Sequence, residues 1–128
     1  MPRLTFEGTV FSGRGEGKRF IELPWVKRQI MQKTGFNPYA GTLNLRLTGD
    51  SVEKRRTLDQ ANGSVVEPEA GYYPGVLFRG YIEGVECAVI LPKVSNYPVD
   101  VLEVVAPQNL RCRLGLADGN TVAVAVTF

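Results

Sequence analysis

Apolar and polar side chains alternate over short segments along most of this chain, and that period of two limits the possible folds more than any other feature. The clearest case is segment 41–47. Because successive side chains of a β-strand point to opposite faces, this segment is predicted to be a strand with one buried face. The buried face would carry Leu43, Leu45 and Leu47, and the other face Thr42, Asn44 and Arg46.

Weaker alternation and turn residues predict further strands. Glu83-Gly84 and Asp118-Gly119-Asn120 are typical of tight turns between paired strands. About six strands are expected in all, drawn from segments 3–11, 41–47, 76–83, 85–91, 99–105, 110–116 and 121–128.

Only one helix is predicted, in the run LPWVKRQIMQKTG. Pro24 suits a first helical turn, Val26 and Ile30 lie four residues apart, and Gly35 is a typical end. Segment 48–75 is polar and without sustained periodicity, so it is predicted to be a long loop. Many short strands with one helix favour an all-β sandwich or closed barrel, and the pattern alone does not separate the two.

The composition predicts one compact domain over residues 1–128, since 44% of the residues are hydrophobic. The formal net charge of +2 is too small for a protein whose main partner is nucleic acid. No apolar run has the length of a signal peptide or a membrane span. The chain is therefore expected to be soluble and cytoplasmic, without a membrane partner.

The chain contains no histidine, which excludes Ser-His-Asp triads, histidine-ligated zinc and imidazole acid-base catalysis. Any chemistry must use carboxylates, hydroxyls, amides, backbone groups, basic side chains or a bound cation. Cys87 and Cys112 each lie in an apolar stretch with no second cysteine nearby. Both are predicted to be buried thiols rather than a disulfide.

A glycine-rich stretch, here called the glycine segment, follows the first predicted strand. It comprises Gly13, Arg14, Gly15, Glu16, Gly17 and Lys18. Three alternating glycines let backbone amides approach a bound phosphate without Cβ clashes. The stretch matches neither the P-loop nor the dinucleotide pattern, so the tip of a hairpin is an equally physical interpretation.

Several polar residues on predicted strands are candidates for chemistry. Thr42 and Asn44 place two oxygens on one strand face, which suits either Mg²⁺ beside a nucleotide or a plain solvated face. Glu103 is a single carboxylate among valines and leucines, and it either faces solvent or serves a site. Arg111 and Arg113 share a strand face that either is solvated or meets a phosphate or base.

The successive motifs resemble those of the archaeal CTP-dependent riboflavin kinases over nearly the whole chain. The motifs that carry the resemblance are GRGEGK, FIELPWVKRQI, GFNPYAGTLNLRL, CAVILP, YPVDVLEVVAP and NLRCRLGLADGNTVAV. GTLNLRL and the P-x-x-L-R segment after VLEVVAP are the most specific. The family resemblance implies a six-stranded closed cradle-loop barrel that transfers the terminal phosphate of CTP to the 5′-hydroxyl of riboflavin, giving FMN and CDP.

The resemblance also implies roles for individual residues. The glycine segment would hold the nucleotide, and Gln108, Asn109, Leu110 and Arg111 would complete the cytidine site. Thr42 and Asn44 would bind Mg²⁺, while Ser95 and Glu103 would contact the flavin. Glu103 is also the best candidate for a general base, although it could instead only hydrogen-bond the flavin.

Two other functions remain open at this level: a non-catalytic nucleotide- or flavin-binding barrel, and a DNA-binding barrel. The paired metal ligands count against the first, and interspersed charges count against the second. Some relatives of the resembled family carry an amino-terminal DNA-binding domain, and this chain is expected to lack that domain. A monomer is favoured.

Overall fold

The computed structural model describes residues 3–128 and contains seven strands and four helices over that range. The strands are β1 (Arg3–Phe11), β2 (Leu43–Leu47), β3 (Ser64–Val66), β4 (Gly75–Ile82), β5 (Val85–Pro92), β6 (Val101–Val105) and β7 (Thr121–Thr127). The helices are α1 (Glu16–Glu22), α2 (Pro24–Thr34), α3 (Ser51–Gln60) and α4 (Leu110–Leu114). None of these helices is long and apolar enough to cross a membrane.

The strands form one antiparallel sheet in the order β3-β4-β5-β6-β2-β1-β7. The pairing of β7 with β4 closes the sheet, so that the six strands other than β3 make a barrel. Full closure leaves these six strands without an unpaired edge. The predicted six-stranded barrel is thus confirmed, and β3 is an extra strand that pairs with the first three residues of β4.

The barrel buries apolar side chains on both of its surfaces. The inside is filled by one face of each strand, with Phe6, Leu45 and Leu102 fully inaccessible. On the outside, α1 and α2 cover β4, β5 and β6, and Ile21 and Ile30 are fully buried there. Since successive side chains in β6 alternate between these surfaces, Glu103 lies on the outer one.

The prediction of a long loop over 48–75 is wrong, because this segment contains α3 and β3. The fully buried positions of α3 are Ser51, Arg55 and Leu58, and Val52 is partly buried against the barrel core, so the face that packs on the barrel is a mixture of polar and apolar residues. Both polar groups are satisfied: Ser51 Oγ accepts from the Glu7 amide at 2.8 Å, and Arg55 Nε donates to the Val101 carbonyl at 3.1 Å. A helix whose inner face mixes polar with apolar residues has only a weak apolar period.

The predicted strand at 110–116 is also wrong, since this stretch forms α4. The Asn109 side chain caps the helix by accepting from the Cys112 amide at 3.3 Å, and Gly115 ends it in the left-handed conformation. Leu110 and Leu114 lie four residues apart as well as on an alternating pattern, so both periods fit. Arg111 and Arg113 therefore project from a helix.

The cysteine predictions are partly confirmed. Cys87 and Cys112 are both free thiols, and Cys87 is buried inside the barrel. Burial, with a smaller contribution from the Glu86 carboxylate, raises the pKa of Cys87 to about 12. Cys112 is exposed, contrary to prediction, because α4 turns it toward solvent.

Two element boundaries also differ from prediction. The sixth strand begins at Val101 rather than at Val99, which is 67% exposed. The second half of the glycine segment belongs to α1 rather than to a flexible turn, because α1 begins at Glu16. The predicted helix in the following run is confirmed as α2, which has Pro24 in its first turn and ends at Thr34 with Gly35 as its C-cap.

Candidate functional site

Three polar side chains meet on the outer surface of the barrel, and we call Thr42, Asn44 and Glu103 the wall cluster. The antiparallel register of β2 and β6 pairs Asn44 directly with Glu103, and Thr42 immediately precedes β2. Thr42 Oγ1 lies 3.1 Å from Asn44 Oδ1 and 3.2 Å from Glu103 Oε1. The structure therefore places Glu103 beside the predicted Thr42–Asn44 pair, from which the sequence analysis treats it separately.

The glycine segment lies directly over the wall cluster. A Cβ atom at Gly13 would come within 2.5 Å of Asn44 Nδ2. A Cβ at Gly17 would overlap Thr42 Oγ1 and lie 3.2 Å from Glu103 Oε1. Side chains other than hydrogen do not fit at these two positions without displacement of the backbone or of the wall cluster.

Gly15 is needed for a different reason. It has a φ of 83° at the amino-terminal end of α1, and a Cβ there would meet no atom within 4 Å. Glycine is favoured at this position because of the left-handed backbone conformation, and not because another atom lies close to it. Arg14, Glu16 and Lys18 are exposed, so their charged groups face solvent beside the wall cluster.

Tyr97 is a site residue that the sequence reasoning missed. Its hydroxyl donates to Glu103 Oε2 at 2.5 Å, while Glu103 Oε1 accepts from Thr42. Burial, and then the neighbouring Glu103 carboxylate, raises the pKa of Tyr97 well above its usual range. Tyr97 lies in a turn in which its amide donates to the Val94 carbonyl. Because Tyr97 lies in a turn, the alternation of polar and apolar residues along strands does not reveal it.

Ser95 lies in the same turn as Tyr97 and is exposed. Among residues 3–128, no hydrogen bond of its side chain joins it to the wall cluster. The turn nevertheless places Ser95 two residues from the side chain that contacts Glu103.

A cleft of about 190 Å³ opens between the start of β2, the end of β6 and α4. Thr42 lies on its barrel side, and its other side is formed by all four residues predicted for the cytidine site: Gln108, Asn109, Leu110 and Arg111. Asn109 Nδ2 donates to the Tyr39 hydroxyl at 3.2 Å, and Leu110 is buried in the barrel core. One cleft thus joins the predicted cytidine site to the wall cluster.

Arg111 links α4 to the strand that leads into the glycine segment. One of its terminal nitrogens lies 2.7 Å from Asp118 Oδ1 and 3.3 Å from both the Phe11 carbonyl and Ser12 Oγ. Ser12 Oγ also donates to the Asp118 carboxylate. The hydrogen bonds from Arg111 and then Ser12 lower the pKa of Asp118. Ser12 and Asp118 were missed because Ser12 lies just after β1 and Asp118 lies in a turn, and polar residues are common at both kinds of position.

The donor set of the wall cluster fits a hard divalent cation. Hydroxyl, amide and carboxylate oxygens converge there, and magnesium commonly takes one or two protein ligands and completes its shell with phosphate oxygens and water. Over residues 3–128, no group of three or more carboxylates or thiols forms an alternative metal site. A wider depression of about 500 Å³ near Gln60 and Phe128 contains no predicted site residue.

Comparison with known proteins adds independent information. Residues 10–126 match the profile of the family CTP-dep_RFKase, described as "Domain of unknown function DUF120". A protein of Archaeoglobus fulgidus named "Riboflavin kinase" is 39% identical over 127 residues, which cover 96% of this chain and 54% of that protein. A "Riboflavin kinase" of Pyrobaculum arsenaticum is 43% identical over 126 residues, covering 93% of this chain and 59% of the relative.

A third relative, from Ignicoccus hospitalis and also named "Riboflavin kinase", is 35% identical over 127 residues, covering 96% of this chain and 71% of that protein. The chain spans little more than half the length of the first two relatives.

Proposed function

The chain belongs to the CTP-dependent riboflavin kinase family, and from this membership we propose that it transfers the terminal phosphate of CTP to the 5′-hydroxyl of riboflavin, giving FMN and CDP. The observation that carries the proposal is the close approach of Gly13 and Gly17 to the wall cluster. Phosphoryl transfer requires chiefly that donor and acceptor be aligned and that charge on the transferring group be stabilised. A histidine is not required for either task.

The nucleotide would lie between the glycine segment and α4. The backbone amides of the glycine segment would face the phosphates, with the exposed Arg14 and Lys18 adding positive charge. Gln108, Asn109, Leu110 and Arg111 would bind the cytidine in the adjoining cleft. The Arg111 contacts with Phe11 and Ser12 support this arrangement, because they connect the two parts of the nucleotide site.

Thr42 and Asn44 would hold Mg²⁺ through Oγ1 and Oδ1. When bound, the cation neutralises phosphate charge and orients the phosphate oxygens. Two neutral oxygen ligands are a sparse set, and this suits a cation that enters together with a nucleotide. The 3.1 Å separation of Oγ1 and Oδ1 supports action of the two residues as one unit.

Glu103 would accept the proton of the riboflavin hydroxyl as that oxygen attacks the phosphorus. Its contact with Thr42 supports this role, since it places the carboxylate beside the group proposed to hold the cation. Ser95 would contact the flavin from the neighbouring turn. Attack forms the new P–O bond of FMN, cleavage of the bond to the β-phosphate oxygen releases CDP, and the proton passes to Glu103 and then to solvent.

The decisive experiment measures FMN and CDP formation by chromatography, with riboflavin and each of CTP, UTP, ATP and GTP. We expect CTP to exceed ATP by at least about a hundredfold in kcat/KM, because a site that hydrogen-bonds the edge of cytosine leaves its polar groups unpaired with a purine. Glu103→Gln, purified in the same way, controls for contaminating kinases. Equal rates with all donors would remove the CTP preference, and flavin or CDP binding without turnover would favour a non-catalytic barrel.

A further inference from the structure

Tyr97 restrains the oxygen of Glu103 that points away from the glycine segment. Glu103 Oε1 faces Thr42 and Gly17, whereas Oε2 receives the Tyr97 hydroxyl. The two contacts hold both oxygens of one carboxylate from opposite sides. A carboxylate with only the Thr42 contact would be free to rotate about its terminal torsion, which is a broad one.

We propose that Tyr97 is a positioning residue, which fixes the Glu103 carboxylate so that Oε1 is presented to the acceptor hydroxyl between the wall cluster and the glycine segment. This inference rests on the proposed function and adds a residue to it. Orientation of a reacting group contributes to the chemical step rather than to substrate binding, because it restricts the geometries sampled in the bound complex.

The surroundings of Tyr97 are built to keep its ring in place. Arg55 belongs to α3 and its side chain is buried. The guanidinium carbon of Arg55 lies 5.7 Å from the centre of the Tyr97 ring. Arg55 is itself fixed by donation from Nε to the Val101 carbonyl, at the first residue of β6. Helix α3 therefore supports Tyr97 from one side, and β6 carries Glu103 on the other.

The test is Tyr97→Phe, which keeps the ring against Arg55 and removes only the hydroxyl. We expect kcat for FMN formation to fall about tenfold, the scale of one hydrogen bond to a charged group, while KM for riboflavin changes less than twofold. Tyr81→Phe is the matched control, because Tyr81 is 53% exposed on β4, and it should leave both constants unchanged.

A double-variant cycle separates positioning from general structural support. In a Glu103→Gln background the carboxylate is already absent, so adding Tyr97→Phe should lower kcat by less than twofold. Thermal melting confirms that each variant is folded. Arg55→Lys tests the same positioning from the other side of Tyr97. It changes the side chain that supports the Tyr97 ring but leaves Glu103 intact, so it should also lower kcat with little change in KM.

Three results would overturn the inference. A Tyr97→Phe variant with wild-type kcat shows that Glu103 needs no such restraint, and a pure rise in KM assigns Tyr97 to riboflavin binding instead. Losses that multiply in the double variant indicate a structural role independent of Glu103. If the wild-type protein makes no FMN, the proposed function fails first and the inference fails with it, so the two failures are distinguishable.

Discussion

The wall cluster and the glycine segment face each other across the candidate site, yet they are held in place by different means. The wall cluster lies on or beside β2 and β6, which are paired within a closed barrel whose interior is packed and whose outer surface is partly covered by α1 and α2. The glycine segment follows β1 and includes the first three residues of the seven-residue helix α1. It is tied to α4 through side-chain contacts that Arg111 makes just before it. A backbone ladder fixes one side, and a few side chains fix the other.

This difference separates two kinds of effect. Substitutions in the wall cluster remove chemical groups from a scaffold that stays in place, because the paired strands do not depend on them. Substitutions at Gly13 and Gly17, the glycines that closely approach the wall cluster, should shift the segment itself and hence weaken nucleotide binding. The contrast fails if wall substitutions act mainly on nucleotide affinity, or if glycine-segment substitutions act mainly on turnover.

The largest effect is expected from Thr42→Val and Asn44→Leu. Each keeps a residue that suits a strand and removes one oxygen, so the protein should fold while magnesium-dependent turnover falls at least tenfold, or about 1.4 kcal/mol of barrier. The double variant should lose less than the product of the single losses, since the second ligand has less bound metal to hold once the first is gone. FMN formation against Mg²⁺ concentration measures both effects.

Thr5→Val serves as the control for this pair, because Thr5 is exposed on β1 away from the wall cluster. Melting curves of all variants establish folding. If the folded Thr42→Val and Asn44→Leu variants keep wild-type turnover and magnesium dependence, the two residues do not bind the metal. They would then be only polar residues on a strand face, and the metal site would lie elsewhere.

A smaller effect is expected from Gly17→Ala, which tests the close approach of the glycine segment. The new Cβ would overlap Thr42 Oγ1, so the segment must move away from the wall cluster. An overpacking cost of ~1 kcal/mol would weaken CDP binding about fivefold. Titration with CDP, followed by intrinsic fluorescence of the single tryptophan or by calorimetry, measures this loss.

Gly15→Ala is the matched comparison within the same segment. Its Cβ would meet open space, but its φ of 83° is unfavourable for alanine, so we expect a loss of ~1 kcal/mol in unfolding free energy with nearly unchanged CDP affinity. If Gly15→Ala weakens CDP binding as much as Gly17→Ala does, close approach is not what distinguishes the two glycines.

The wall cluster could be predicted from the sequence, whereas its supports could not. Alternation in segment 41–47 places Thr42 and Asn44 opposite the leucines, and the structure confirms that face. Helix α3 was missed because Ser51 and Arg55 fill buried positions where a periodic pattern requires apolar residues. Helix α4 was mistaken for a strand because its leucines fit both periods.

The contacts made by turn residues were the least predictable part of the site. Tyr97 lies 6 residues from Glu103 in sequence, and Asp118 lies 106 residues from Ser12. Nothing local indicates that a tyrosine in a Pro-containing loop meets a strand carboxylate, or that the aspartate of an Asp-Gly turn binds an arginine. The Ser12–Asp118 contact follows from the pairing of β1 with β7, whereas Tyr97 reaches Glu103 because the turn before β6 folds back beside that strand.

The smallest effect is expected from Asp118→Asn, which loosens the tie between α4 and the glycine segment. The pair with Arg111 is solvent-exposed, and exposed pairs contribute little, so CDP affinity should fall only about twofold to threefold at neutral pH.

The pKa of Asp118 is lowered in the folded protein by its hydrogen bonds from Arg111 and Ser12. The contribution of the carboxylate is therefore full above the ordinary carboxyl pKa of 3.8 and is lost as the pH falls through the lowered value. In CDP titrations and thermal melts from pH 7 to pH 3, the gap between wild type and Asp118→Asn should accordingly close toward the acid end. Asp50→Asn is the control, because Asp50 is a more exposed carboxylate whose contact with Lys54 is 3.7 Å long and remote from the cleft. A gap that stays constant down to pH 3, or an equal loss of CDP affinity in Asp50→Asn, would show that Asp118 does not hold the nucleotide side of the site together.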